Sequence, residues 1–187
     1  MVPMATGSKP LRADAARNRD KLLAAATRAF GEQGLDVPLE QIARTAGVSI
    51  GTLYAHFPTR EAFADAILPA QLAALDDLAA AALAEPDPWL GFTGFIDGLF
   101  ALQAKDHGLN DALARRQPLS PAVLEACRSG FEHAAKVVDR AKAAGQLRAD
   151  FTPADLAPLV SAMSQVIRES PEVWRRHLAF FLDGLRT

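Results

Sequence analysis

Apolar residues recur at helical spacing along most of this chain. From about Asp14, the positions Leu22, Leu23, Ala26 and Phe30 share one stripe, and Gly34 stands where that helix has to stop. Pro38 suits the first position of a second helix, where a missing N–H loses no bond. Leu39, Ile42, Ala43 and Ala46 then follow at i, i+3, i+4 and i+7. Gly47 ends that helix and Ser49 caps a third. Pro58 closes the third, because the residue before a proline is held out of the helical region. Thr59 opens a long fourth segment, about Arg60 to Glu85, in which Pro69 predicts a kink.

The rear of the chain continues in the same way. Asp87-Pro88 opens a fifth helix to about Lys105, and Leu109 to Arg115 reads as a short connector. Ser120-Pro121 opens another to about Ala144, Thr152-Pro153 the next, with Pro158 bending it, and Ser170-Pro171-Glu172 the last. No strand pattern or repeat interrupts them. The chain is therefore expected to be all-α, with a boundary near residue 72 and a disordered arm over residues 1–12 carrying Lys9 and Arg12.

The stretch IARTAGVSIGTLYAHFPTRE, from Ile42 to Glu61, holds two helices too short to stand alone in water. Three short helices with a glycine turn between the second and third make a helix-turn-helix arrangement. Leu53 and Phe57 lie four apart and face inward, so Gly51 and Ala55 fall on the opposite face, flanked by Thr52, His56 and Tyr54. A small, smooth centre with hydroxyls and an imidazole on its edges suits a DNA major groove and its phosphate walls. A solvated connector helix would carry the same pattern.

Charge and composition narrow the alternatives. Residues 1–60 carry eight Lys and Arg against five Asp and Glu, whereas residues 61–187 carry twelve against seventeen. A basic front and an acidic rear point to a polyanion meeting the front only. A single cysteine, Cys127, excludes an intramolecular disulfide. The longest uninterrupted apolar run, Leu78 to Ala84, is too short to cross a bilayer, and the first twenty residues hold no secretory h-region. A cytoplasmic protein with no membrane partner is expected. The four histidines, His56, His107, His133 and His177, show no metalloprotease spacing, and no phosphate loop or nucleophile elbow is present. Neither an enzyme, nor a metal site, nor a cofactor is expected.

The residues AGVSIGTLYAHFPTREA, preceded by RNRDKLLAAATRAFGEQGLDVPLEQIA, resemble the DNA-binding region of the TetR family of transcriptional regulators. WRRHLAFFLDGL near residue 180 is similar to the end of a common branch of that family. The resemblance implies a TetR-type DNA-binding domain over residues 14–72, its helix-turn-helix about 38–57, and a helical ligand-binding and dimerisation domain over 73–187. It implies a homodimer that binds double-stranded operator DNA as a repressor and is released by a small apolar or amphipathic effector. Control by a protein partner without a ligand, or activation, is the alternative. Ser49, Thr52, Tyr54 and His56 match positions that contact DNA, mostly its phosphates, and Gly51 the position of close approach. At Val37-Pro38 the chain departs from relatives that carry a capping Thr or Ser there.

Between Ser49 and Phe57 there is no Arg, Lys, Asn or Gln, the side chains that read bases bidentately. Sequence preference is therefore assigned to methyl contacts from Ile50 and Ala55, to Arg44, and to groove shape.

In the rear, Trp89, Phe92, Phe95, Ile96 and Leu99 form an apolar stripe interrupted by Gly91, Gly94 and Gly98. Each glycine costs about 1 kcal/mol of helix stability relative to alanine, which implies either close helix packing or room for a ligand. Trp89, Phe92, Phe95, Leu99, Phe131, Met163 and Trp174 are the candidate pocket residues. Trp174, Leu178, Phe181, Leu182 and Leu185, with Val173 and Phe180 beside them, give the last helix more apolar surface than one face can bury. The last two helices are accordingly the expected dimer interface.

Overall fold

A computed structural model describes residues 8–114 and 119–187, with nine α-helices among the described residues. The first, α1 (Ser8–Gln33), begins six residues before Asp14. Pro10 falls in its opening turn, where a missing N–H leaves no intrahelical bond unmade. Part of the expected disordered arm is thus helical, while residues 1–7 and the side chains of Lys9 and Arg12 lie outside the described residues.

α1 is followed by α2 (Leu39–Ala46) and α3 (Ile50–His56), which together form a three-helix head. Pro38 sits at the cap of α2 and offers no side-chain bond there. Gly47 ends α2 at φ 68°, a left-handed conformation that a side chain would strain, and so turns the chain into α3. Leu22, Phe30, Ile42, Leu53 and Phe57 close the head's interior.

α4 (Arg60–Ala84) starts at Thr59, whose hydroxyl accepts the Ala62 N–H, and is one continuous helix through Pro69. It is the shared element of the molecule, packing against α1 in the head and against α5 (Pro88–Lys105) and α7 (Pro121–Ala143) in the body. By length and composition alone α4 is apolar enough to cross a membrane. Its buried face, including Phe63, Ile67, Leu72, Leu75 and Ala79, is spent on these helices instead.

The connector α6 (His107–Leu113) lies two residues earlier than Leu109 to Arg115, because the Asp106 side chain takes the Leu109 N–H at 2.8 Å and fixes the start; Arg115 lies outside the described residues. A single 3₁₀ turn, Pro153–Asp155, leads into α8 (Leu156–Glu169). Pro158 falls in the first turn of α8, again where no bond is lost. The last helix, α9 (Trp174–Asp183), begins after a turn over residues 171–173 and not at Pro171. A lone antiparallel bridge between Leu147 and Arg186 returns the chain to the body, with Arg148 N–H on the Leu185 carbonyl at 2.9 Å.

Candidate nucleic-acid interface and effector cavity

α3 is short and held from behind. Leu53 is wholly buried and Phe57 nearly so, with Phe57 lying flat on Phe63 of α4 at 4.0 Å between ring centroids. Phe30 of α1 meets Phe63 edge-on, and the guanidinium of Arg19 sits 5.3 Å from the Phe57 ring. With one face anchored, the other is presented outward. Ser49, Ile50, Gly51, Tyr54 and Ala55 are exposed, Ile50 and Tyr54 at 39% and 46%, and Arg44 of α2 is exposed beside them. Thr52 and His56 are half-buried at the edge.

The hydroxyls at the start of α3 are organised among themselves. Ser49 Oγ accepts the Thr52 N–H at 3.1 Å and lies 2.9 Å from Thr52 Oγ1. One hydroxyl proton serves that contact, so the other remains available for a phosphate oxygen. Tyr54 brings a second hydroxyl on the far flank. The face carries no acid, and the polar groups at its edges are ones that phosphate accepts. The nearest acid at the start of α4, Glu61, is held below the usual carboxylate range by its own backbone N–H and by Thr59, which keeps it engaged with the helix end.

Sequence reasoning missed what holds the turn before α2. Arg60 of α4 donates to the carbonyls of Leu35 and Val37, the latter at 2.7 Å, and on the other side Asp111 of α6 accepts the Leu35 N–H at 3.0 Å. Arg60 stands in the stretch AGVSIGTLYAHFPTREA, but its carbonyl partners and Asp111 lie far off in sequence, so only the assembled fold reveals these bonds.

In the body, a cavity of about 260 Å³ lies among α4, α5, α6, α7 and α8. Phe95, Leu99 and Phe131, three of the seven candidate pocket residues, line it, with Leu75, Ala112, Leu113, Cys127, Arg128, Gly130, Ala134, Leu156, Ala157 and Val160. The other four do not. Phe92 meets Phe151 at 6.0 Å between ring centroids, and Trp89 packs on Phe92 at 5.7 Å and lies under Arg186. Trp174 is core, covered by Arg175. Met163 lines a separate, open hollow of about 600 Å³ between α8 and α9.

The three glycines of α5 divide in the same way. A side chain at Gly91 would run into the Ala82 carbonyl, and one at Gly98 would meet Leu78 Cδ2 at 2.7 Å, so both permit α4 and α5 to approach closely. Gly94 faces open space on the exposed side. None of them lines the body cavity. The cavity instead opens where Gly130 of α7 leaves it clear. His133 hydrogen-bonds Asp76 at 2.7 Å and so joins α7 to α4.

A three-helix head with an outward helix-turn-helix, carried by a long helix into a helical body, defines a DNA-binding transcriptional regulator. Comparison with known proteins gives the family. Residues 22–67 match the model of bacterial regulatory proteins of the tetR family, and residues 87–187 match that of the SbtR-like transcriptional regulator C-terminal domain. This chain belongs to the TetR family, whose members regulate transcription and are not enzymes.

A TetR transcriptional regulator from Streptomyces coelicolor is 35% identical, covering 90% of this chain and 98% of that one, with a TM-score of 0.55. A TetR regulator from Mycobacterium vanbaalenii is 34% identical over 95% of this chain and 100% of that one, with a TM-score of 0.54. The ketosteroid transcriptional regulator KstR2 of Mycobacterium tuberculosis shares the fold at 21% identity, over 90% of this chain and 95% of that one, with a TM-score of 0.64. No match was found among curated proteins.

Proposed function

We propose that the protein is a homodimeric repressor that binds a palindromic operator through α3 and is released by a small apolar effector held in the body cavity. The observation that carries this reading is the pairing of an anchored, outward-facing α3 with a cavity walled by α4, the helix that also holds α3 through Phe57 and Phe63. Filling the cavity biases the position of α4, and α3 moves with it.

The dimer reading is supported by the outer surfaces of α8 and α9. Ala157, Pro158, Ser161 and Ala162 give α8 a small-residue face, and Phe180 of α9 is 64% exposed. A second copy packed on these helices would also cover the open hollow between them.

The cavity walls argue for an uncharged effector. Among the described residues its only strongly polar lining side chain, Arg128, is committed to Glu125 and Glu132 on the surface of α7. A carboxylate would have to compete with Glu125 and Glu132 for Arg128, and an unpaired buried charge is strongly disfavoured. A volume near the low end of ligand sites calls for a compact molecule.

Selection of bound sites from random duplex DNA tests the function directly, run beside a Thr52→Ala/Tyr54→Ala variant. A palindrome recovered by the wild type and lost by the variant supports a symmetric dimer reading through α3. Thermal shift with naphthalene, indole and octanoate then tests the cavity. Stabilisation by the neutral rings and not by octanoate is the expected order.

A further inference from the structure

We infer that Asp111 is a positioning residue that sets how the DNA-binding head sits on the body. Its carboxylate is 2% exposed and lies on α6, yet it accepts the Leu35 N–H at 3.0 Å, across 76 positions of sequence. Its other oxygen pairs with Arg168 of α8. One side chain therefore ties the turn before α2 to the helix expected at the dimer interface.

The opposite side of the same residue is held as well. The Leu35 carbonyl takes a hydrogen bond from Arg60 of α4, so Leu35 is gripped through its N–H by α6 and through its C=O by α4. Gly34 makes the approach possible. It ends α1 at φ 87°, and any side chain there would press on Asp111 Oδ2.

α6 itself has little freedom to drift. Gln103 of α5 donates to Asn110 at 3.0 Å, Asn110 donates to the Ser164 carbonyl of α8 at 3.4 Å, and all three residues are fully buried. A shift of α6 would break both bonds inside the core, where lost polar partners are costly, so the pair holds α6 against α5 and α8; Gln103 Oε1 takes no partner among the described residues. The two residues after Asp111, Ala112 and Leu113, line the body cavity. A ligand that shifts this wall shifts the carboxylate that holds Leu35. This regulatory half rests on the cavity being an effector site; the positioning half does not.

Hydrogen exchange read by mass spectrometry on the full chain separates these roles. Asp111→Ala removes the acceptor, while Asp111→Asn keeps a weaker, uncharged one. The Leu35 amide is expected to exchange about tenfold faster in the alanine variant and by a smaller factor in the asparagine variant, with the amides of Phe95–Phe100 unchanged. Operator affinity falls in the same order. Should Asp111→Ala fail to fold, Asp111→Asn must still raise exchange at Leu35 alone. Unchanged Leu35 exchange, or acceleration of α5 together with Leu35, overturns the positioning role, the latter by showing a contribution to global stability only. Plugging the cavity with Gly130→Leu supplies the remaining arm. A shift in Leu35 exchange supports relay through α6, and wild-type exchange removes the regulatory half while the order across the Asp111 variants still decides the other.

Discussion

Phe57, the residue that closes α3, stacks on Phe63 in the first turn of α4, their rings 4.0 Å apart and inclined by 19°. The pair makes α3 an appendage of α4, so a displacement of the long helix is delivered to the DNA-reading surface. Phe63 is wholly buried and also receives Phe30. Phe63→Ala is expected to destabilise the protein by about 3–5 kcal/mol, the usual range for emptying an aromatic core site. Urea denaturation measures it, and operator binding should be lost before the body unfolds.

The α3 hydroxyls and Arg44 predict two different salt responses. Thr52→Ala removes a neutral donor, so binding weakens while the slope of log affinity against log salt stays at the wild-type value. Arg44→Ala removes an exposed cation beside the interface, and the slope should fall by about one if that cation neutralises a phosphate. Titrations of a labelled operator at several salt concentrations distinguish the two. A slope unchanged by Arg44→Ala would return that side chain to base reading or to solvent.

Among the described residues Phe180 is the most exposed of the large apolar side chains. Phe180→Glu places a charge at the centre of the proposed two-fold interface, where burial without a partner is costly. Sedimentation should show the dimer proposed for the wild type shifting toward monomer in the variant, with the helical signal retained. A variant that remains fully dimeric would move the interface away from α9.

Gly130 lines the body cavity, and a Cβ there meets nothing within 4 Å. Gly130→Leu is expected to raise stability by about 1 kcal/mol or more from helix propensity alone, with further gain from burial. The same change should abolish binding of small neutral rings. Thermal melts with and without naphthalene check both outcomes.

Asp155 is held below the usual carboxylate range, first by the Thr152 N–H at 2.7 Å and then by the Thr152 hydroxyl at 2.8 Å. A carboxylate depressed in the folded state stabilises it above its unfolded value of about 3.9, and that contribution disappears as pH falls through the folded value. Asp155→Asn should therefore melt below wild type near neutral pH, with the gap closing as pH falls below the unfolded carboxylate value and through the lower folded one. Paired melts across that window give the sign.

Legibility in the sequence followed the range of the interactions. The cap at Ser49, the turn at Gly47 and the inward spacing of Leu53 and Phe57 are all set within eleven residues, and they show in the chain as written. The body cavity is assembled from five helices, so a local aromatic stripe was a poor guide to it. Phe95 and Leu99 face it, whereas Phe92, on the same helix, is taken up by Phe151 from a distant loop and Trp89 by Phe92 and Arg186. Asp111 gave no local signal of this role, because Leu35 and Arg168, which it joins, stand 76 and 57 residues away.

The double grip on Leu35 uses main-chain atoms, which any amino acid except proline supplies at the N–H. Selection can therefore replace the side chain at position 35 by other apolar residues that fill its buried site without breaking the linkage. What has to persist is the acid at 111, the base at 60 and the bare backbone at 34. In a set of descendants of this protein, the joint between head and body would be recorded as those three positions changing together or not at all, while the residue they hold drifts.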